Sequence, residues 1–319
     1  MKKFLFLCFK VLVSAGLIYF AVYKLNWAAL RENWQQTEWL WLATSVVFLS
    51  LSYFLGAMQW QWILRIGQFS IGYWKVLGYY YVGLFFNSFL ISGMGGDFMR
   101  IYDIRKHSVD EKSLSPALAS VFFDRFLGLF TLIFLAGLTG AFVIGRGESP
   151  GMFFTIIVLL AAWILVFVIV FNKKIADRTI KPLFKITPPR VYERLERLYY
   201  AMNSFKTRPD QLIRIFGISL VVQCLRIFSI WSVGRALNDS SSLVYYVIFV
   251  PIISLAASLP ISIGGTGPRE QTAILLFKRI GLTHELAFSI GFITYIIGTI
   301  SALPGAAVFL LRKSHYHHD

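Results

Sequence analysis

The stretch PISIGGTGPREQ (residues 260–271) sets two prolines, three glycines, an arginine and a glutamate between strongly apolar stretches, and LISGMGGDFMRIYD (residues 90–103) does much the same upstream. Backbone N–H and C=O groups outside a regular helix are tolerated at membrane depth only where protein or a water-filled cavity satisfies them. A glycine-rich break lets the backbone approach a ligand and aims a helix N-terminus at it, which favours an anion. Whether these two stretches are breaks inside membrane helices or ordinary loops decides the fold.

The surroundings favour the first reading. Of 319 residues, 57% are hydrophobic, 17% aromatic and only 15% charged, with a mean hydropathy of +0.65. That is too little polar surface for a soluble domain of this length. The formal net charge is +15, yet the basic residues cluster. Between Lys173 and Arg214 there are eleven Lys or Arg against four acids, which assigns that loop to the cytoplasmic face. Topology and anionic headgroups account for the basic excess, and no basic domain stands outside the apolar segments to bind nucleic acid. Cys8 and Cys224 lie far apart in apolar segments and give neither a disulfide framework nor a metal spacing. The N-terminal run reads as an uncleaved span, because Lys10 splits it and no cleavage site follows; Lys2, Lys3 and Lys10 hold that end inside.

A helix needs about 20 apolar residues to cross ~30 Å of hydrocarbon. Full spans are predicted near 4–23, 39–64, 115–144, 151–171, 211–236 and 285–311. Two further apolar stretches, 74–92 and 243–263, each run into a glycine-rich motif. Arg65 and Lys75 precede the first, and Arg100, Arg105, Lys106 and Lys112 follow it, so both flanks are cytoplasmic and the segment enters and returns on one side. The second leaves from LNDSSS (237–242), which lacks Lys and Arg and reads as external; its return places Arg312 and Lys313 inside. The expected fold is therefore an all-α polytopic membrane protein with six full spans and two opposed re-entrant helical segments. Both termini are cytoplasmic, and the localisation is the inner (cytoplasmic) membrane.

The order span, span, re-entrant, span occurs twice, over 1–144 and 151–311, and three preceding spans turn the second copy upside down. SFLISGMGG (88–96) aligns with SLPISIGGT (258–266) at an offset of 170, and ALAS (117–120) with ELAF (285–288) at an offset of 168. Residues 1–319 thus form one transmembrane domain. Within it, 172–214 is a cytoplasmic linker whose Val191, Leu195, Leu198 and Met202 suggest an interfacial amphipathic helix after Pro188-Pro189. That linker is either a plain tether or an element of gating or lipid recruitment. Trp27, Trp34, Trp39 and Trp41 form an aromatic belt on the external side.

Ionisable residues at membrane depth are costly and mark function by default. The candidates are Asp97 and Arg100 after Gly95 and Gly96; Asp124 and Arg125 in the third span; Arg226 in the fifth; and Arg269 and Glu270 after Gly264, Gly265 and Gly267. Arginine suits phosphate because its planar fork donates two hydrogen bonds and stays charged. Arg100, Arg226 and Arg269 are expected to share one hydrophilic cavity. The bland alternative is neutralisation, Asp124 by Arg226 or Asp97 by Arg269, merely holding the bundle together. Asp103 is a weaker candidate, read equally as part of the exposed loop. No metal-spaced carboxylates, nucleophile constellation or P-loop is present, so no enzyme activity and no cofactor or metal is implied. HYHHD (315–319) is a solvated tail.

On these motifs the chain resembles the transmembrane, flippase-like domain of bifunctional lysylphosphatidylglycerol synthases, a family with many stand-alone members. The likeness covers nearly the whole sequence. It rests on Gly95-Gly96-Asp97 with Arg100, on Asp124-Arg125, and on Pro260 through Gly264-Gly265, Gly267 and Glu270. In the first motif the family's usual proline is replaced near Ile91. The soluble aminoacyl-transferring domain has no counterpart here, so the resemblance implies lipid translocation and not synthase activity. The expected ligands are membrane lipids with charged headgroups, phospholipid or polyprenyl-phosphate; homo-oligomers are possible partners. The alternative class is a non-transporting subunit that scaffolds or regulates an envelope-lipid enzyme.

Overall fold

The computed structural model describes residues 27–89, 95–105, 107, 115–144, 150–172, 208–258, 262 and 265–314, with single positions between 175 and 203. The expected first span at 4–23, most of the linker, Gly264 and the 315–319 tail lie outside these residues. Among the described residues the regular structure is entirely helical. In chain order it comprises α1 (Trp27–Gln35), α2 (Trp39–Ile66), α3 (Tyr73–Phe89), α4 (Gly95–Arg105), α5 (Ser115–Ile144) and α6 (Pro150–Phe171). These are followed by α7 (Pro209–Ala236), α8 (Leu243–Ser258), α9 (Pro268–Phe277), a 3₁₀ turn (Lys278–Ile280), α10 (His284–Ala302) and α11 (Pro304–Ser314).

Four helical stretches, Trp39–Ile66, Ser115–Gly140, Pro209–Ala236 and His284–Leu311, are long and apolar enough to cross a membrane. Each falls on a predicted span, and α6 falls on the one predicted at 151–171. The last stretch is interrupted at Leu303, before Pro304, whose missing N–H breaks the helical ladder between α10 and α11.

Each glycine-rich motif lies between two short helices. α3 has 17 residues and α4 has 11; α8 has 16 and α9 has 10. At 1.5 Å per residue these arms run about 15–26 Å, so none of the four spans ~30 Å by itself.

The helices divide into two compact units: residues 1–54, 78–99 and 222–319, and residues 55–77 and 100–221. In the first, α9 packs on α8 and α10. Phe277 is wedged against Tyr246 and Phe249 at ring separations of 5.0 and 5.2 Å. Trp34 of α1, expected in an aromatic belt, donates to Ser289 Oγ at 3.1 Å and stacks on Phe292, tying the short helix to α10. In the second unit α5 and α6 pair, with Trp163 stacked on Phe126 at 5.3 Å. There Thr131 Oγ1 donates to Ser219 Oγ at 2.9 Å.

Candidate functional site

The second break is built around Gly265 and Gly267, at φ of +77° and +93°. A Cβ on Gly265 would lie 2.7 Å from the Ala257 carbonyl oxygen, so this residue permits both the turn and the return of the chain onto α8. The close approach that this glycine permits is to the backbone of α8. Glu270, buried at 3% exposure, stands in the first turn of α9, and its Oε2 accepts from the Gly267 N–H at 2.6 Å. A carboxylate there caps the helix and complements its positive end. Oε1 of the same group is buried with no hydrogen-bond partner among the described residues.

The first break closes similarly. Asn87, in the last turn of α3, accepts from the Gly96 N–H at 2.9 Å and so satisfies an orphan donor at the start of α4. A Cβ on Gly96 would overlap the Gly83 carbonyl, so α3 and α4 touch backbone to backbone at this pair. Gly95 and Gly96 are buried, and Asp97 is buried in the first turn.

Tyr295 of α10 joins the two breaks. Its hydroxyl donates to the Ser88 carbonyl at 3.0 Å, filling an acceptor left open where α3 ends. The Arg269 guanidinium sits over its ring, 5.4 Å from the centroid. Nearby, Arg226 Nη2 donates to the Tyr80 hydroxyl at 3.2 Å, and Tyr53 lies within electrostatic reach of both Arg226 and Arg269. Arg226, Arg269 and Tyr295 are half-buried. Among the described residues Arg226 has no ion-pair partner; its one polar contact is a neutral phenol. Two guanidinium groups and three phenols therefore gather in the first unit, a donor-rich set suited to an anion.

Arg100 and Asp124 behave differently. In the second unit Arg100 Nη2 bonds Asp124 Oδ2 at 2.8 Å while Gln59 Nε2 donates to Oδ1 at 2.9 Å, and the guanidinium stacks 3.9 Å over Trp60. All four side chains are buried. Asp124 is thus paired with Arg100 and not with Arg226, and the Arg100 guanidinium lies between this carboxylate and the Trp60 ring. Arg125 is half-buried on the next helical position, about 100° around α5. Asp103 is buried at 1% exposure inside α4 and is not part of an exposed loop.

Tyr53, Tyr80, Tyr295, Gln59 and Asn87 were missed by the sequence reading. Polar, uncharged side chains inside apolar segments were the available signal, as in MQWQW (58–62) and YYY (79–81).

Long apolar helices, two glycine-broken helix pairs and buried charges define a multi-pass, all-helical membrane protein with polar groups at its breaks. The model of the lysylphosphatidylglycerol synthase transmembrane region matches residues 7–305, and the chain belongs to that family. It is 24% identical over 287 residues to a UPF0104 membrane protein of Methanothermobacter thermautotrophicus, covering 84% of this chain and 83% of that one. It is also 23% identical over 278 residues to a UPF0104 membrane protein of Methanocaldococcus jannaschii, covering 80% of each.

Proposed function

We propose that the protein is a flippase-like lipid translocase that moves an amphiphile with a charged headgroup, a phospholipid or polyprenyl-phosphate lipid, between leaflets. The observation that carries this reading is the Tyr295 junction. One side chain holds the end of α3 through Ser88 and carries Arg269 of the second break on its ring. Movement of either broken helix therefore alters the position of a half-buried cation, which is what alternating access to an anionic headgroup requires.

In this reading the two broken pairs are opposed re-entrant segments of an inverted repeat with six full spans. The four short arms and the charges flanking the first pair support this. The protein lies in the inner membrane with both termini cytoplasmic, its ligands are membrane lipids, and no catalytic step is assigned to it. Arg226, Arg269, Gly265, Gly267 and Glu270 belong to the headgroup site together with Tyr53, Tyr80 and Tyr295. Gly95, Gly96 and Asp97 form the opposing break, and Arg100 and Asp124 hold the scaffold.

The test is transbilayer movement of labelled lipids in liposomes reconstituted with purified protein, run over anionic and zwitterionic headgroups. Flux should rise with protein and fall in Arg226→Ala and Arg269→Ala. Protein-independent flux for every lipid would instead assign a non-transporting, scaffolding role.

A further inference from the structure

Outside the Tyr295 cluster, the second unit holds a cleft of about 410 Å³ between the end of α2 and the start of α7. That volume lies in the range of small-ligand sites. Arg65 and Gln68 line it from one side and Arg208, Gln211 and Arg214 from the other, with Trp62 as its apolar wall. The arginines are exposed, and none makes an ion pair among the described residues. Asp210, the acid of the first turn of α7, is exposed and bonds none of them.

The bland account of Arg65 is that a cation at a helix C-terminus complements the dipole. It does not extend to Arg208 and Arg214, which stand before and within the first turns of α7, where the dipole disfavours cations. Nor do the carbonyls at the end of α2 require these arginines. Ile63, Leu64 and Arg65 already accept from the N–H groups of Gly67, Phe69 and Gln68 at 2.9–3.1 Å. Gln68 itself adopts the left-handed conformation, φ 65°, which a glycine would hold without cost; here that position carries a side-chain amide at the cleft. Three guanidinium forks, two amides and the N–H end of α7 leave a site rich in donors and short of acceptors.

We propose that this cleft binds a phosphate group, carried by an anionic phospholipid whose headgroup lies at the membrane surface beside α2 and α7. Trp62 suits the interfacial depth of such a headgroup, and juxtamembrane arginines bind anionic lipids by charge and fork geometry. The proposal is independent of translocation: it assigns a resident or recruiting lipid site to residues outside the Tyr295 cluster.

The full chain in detergent is titrated with phosphatidylglycerol, phosphatidylcholine and inorganic phosphate, and bound lipid is counted by native mass spectrometry. Phosphatidylglycerol should bind in preference to phosphatidylcholine, weaken with ionic strength, and bind at least about tenfold more weakly in Arg208→Gln/Arg214→Gln, since each lost contact is a charge-assisted hydrogen bond. Failure of inorganic phosphate to displace it assigns the site to the lipid; displacement at equal concentration assigns it to the free anion. Equal retention of the two lipids by wild type, insensitive to salt, overturns the proposal without recourse to any variant. Unchanged phosphatidylglycerol binding in the double variant does so as well.

Discussion

Gly265 and Gly281 both have positive φ, at 77° and 89°, but only Gly265 has a backbone oxygen where its Cβ would go. Gly281 has nothing within 4 Å. Gly281→Ala should therefore cost about 1–2 kcal/mol from the left-handed conformation alone. Gly265→Ala adds the overlap with Ala257 and should cost about 2–4 kcal/mol. Thermal midpoints of the two purified variants measure the difference; equal shifts would mean that α8 and the break do not touch as described. Glu270 permits a subtler substitution. Glu270→Gln retains an acceptor for the Gly267 N–H and loses the charge that complements α9, a loss of about 0.3–1 kcal/mol. The variant should fold, and its lipid flux should change in rate or pH profile. A flux–pH curve superposable on wild type would leave Glu270 as a helix cap and nothing more.

At the scale of elements, the pair linking α4 to α5 is separable from the cluster linking α9 and α10. Asp124→Ala leaves the Arg100 charge buried without its carboxylate and should destabilise by about 3–5 kcal/mol. Arg100→Met/Asp124→Leu removes both charges and should restore stability to near wild type, with translocation retained. Arg226→Ala should do the reverse, leaving the thermal midpoint nearly unchanged while flux falls roughly tenfold or more, the worth of one charge-assisted hydrogen bond. Flux lost in the first double variant, or stability lost in Arg226→Ala, would exchange the two assignments. Tyr295→Phe keeps the ring under Arg269 and deletes the bond to Ser88, so it isolates the junction. Four long apolar helices and the glycine turn at Gly265–Gly267 were legible in the sequence, because apolar runs, glycine and proline act where they stand. The partner of Asp124 was not. It depends on the rotation of α4 against α5, whereas spacing along the chain reports only faces within one helix. The phenols were hidden for another reason: tyrosine in an apolar run reads equally as interfacial belt or core.

For the whole molecule, the arrangement of the broken pairs turns on a conflict between charge and length. Arg65 before α3 and Lys75 in its first turn, with Arg105 in the last turn of α4 and Lys106 and Lys112 beyond it, favour the cytoplasmic side for both ends of the first pair. The second pair starts from LNDSSS (237–242), free of Lys and Arg, but is followed by Lys278 and Arg279. Charge alone would draw that end inside and make α8–α9 a crossing. Length opposes it. After the turn at Gly265–Gly267, α9 adds 10 residues, about 15 Å, and its Gly265 backbone lies against Ala257 of α8, so the chain folds back on the helix it has just left. Re-entry therefore predicts that Ser240→Cys and Arg279→Cys, at exposed positions on either side of the second pair, react with an impermeant maleimide from outside intact cells. His107→Cys, exposed beyond α4, should react only after permeabilisation. A crossing predicts Arg279→Cys protected and the C-terminal basic pair, Arg312 and Lys313, outside. Protection of Arg279→Cys in intact cells with free reaction of Ser240→Cys would remove the second re-entrant segment, and with it the parity that turns one half of the chain over relative to the other.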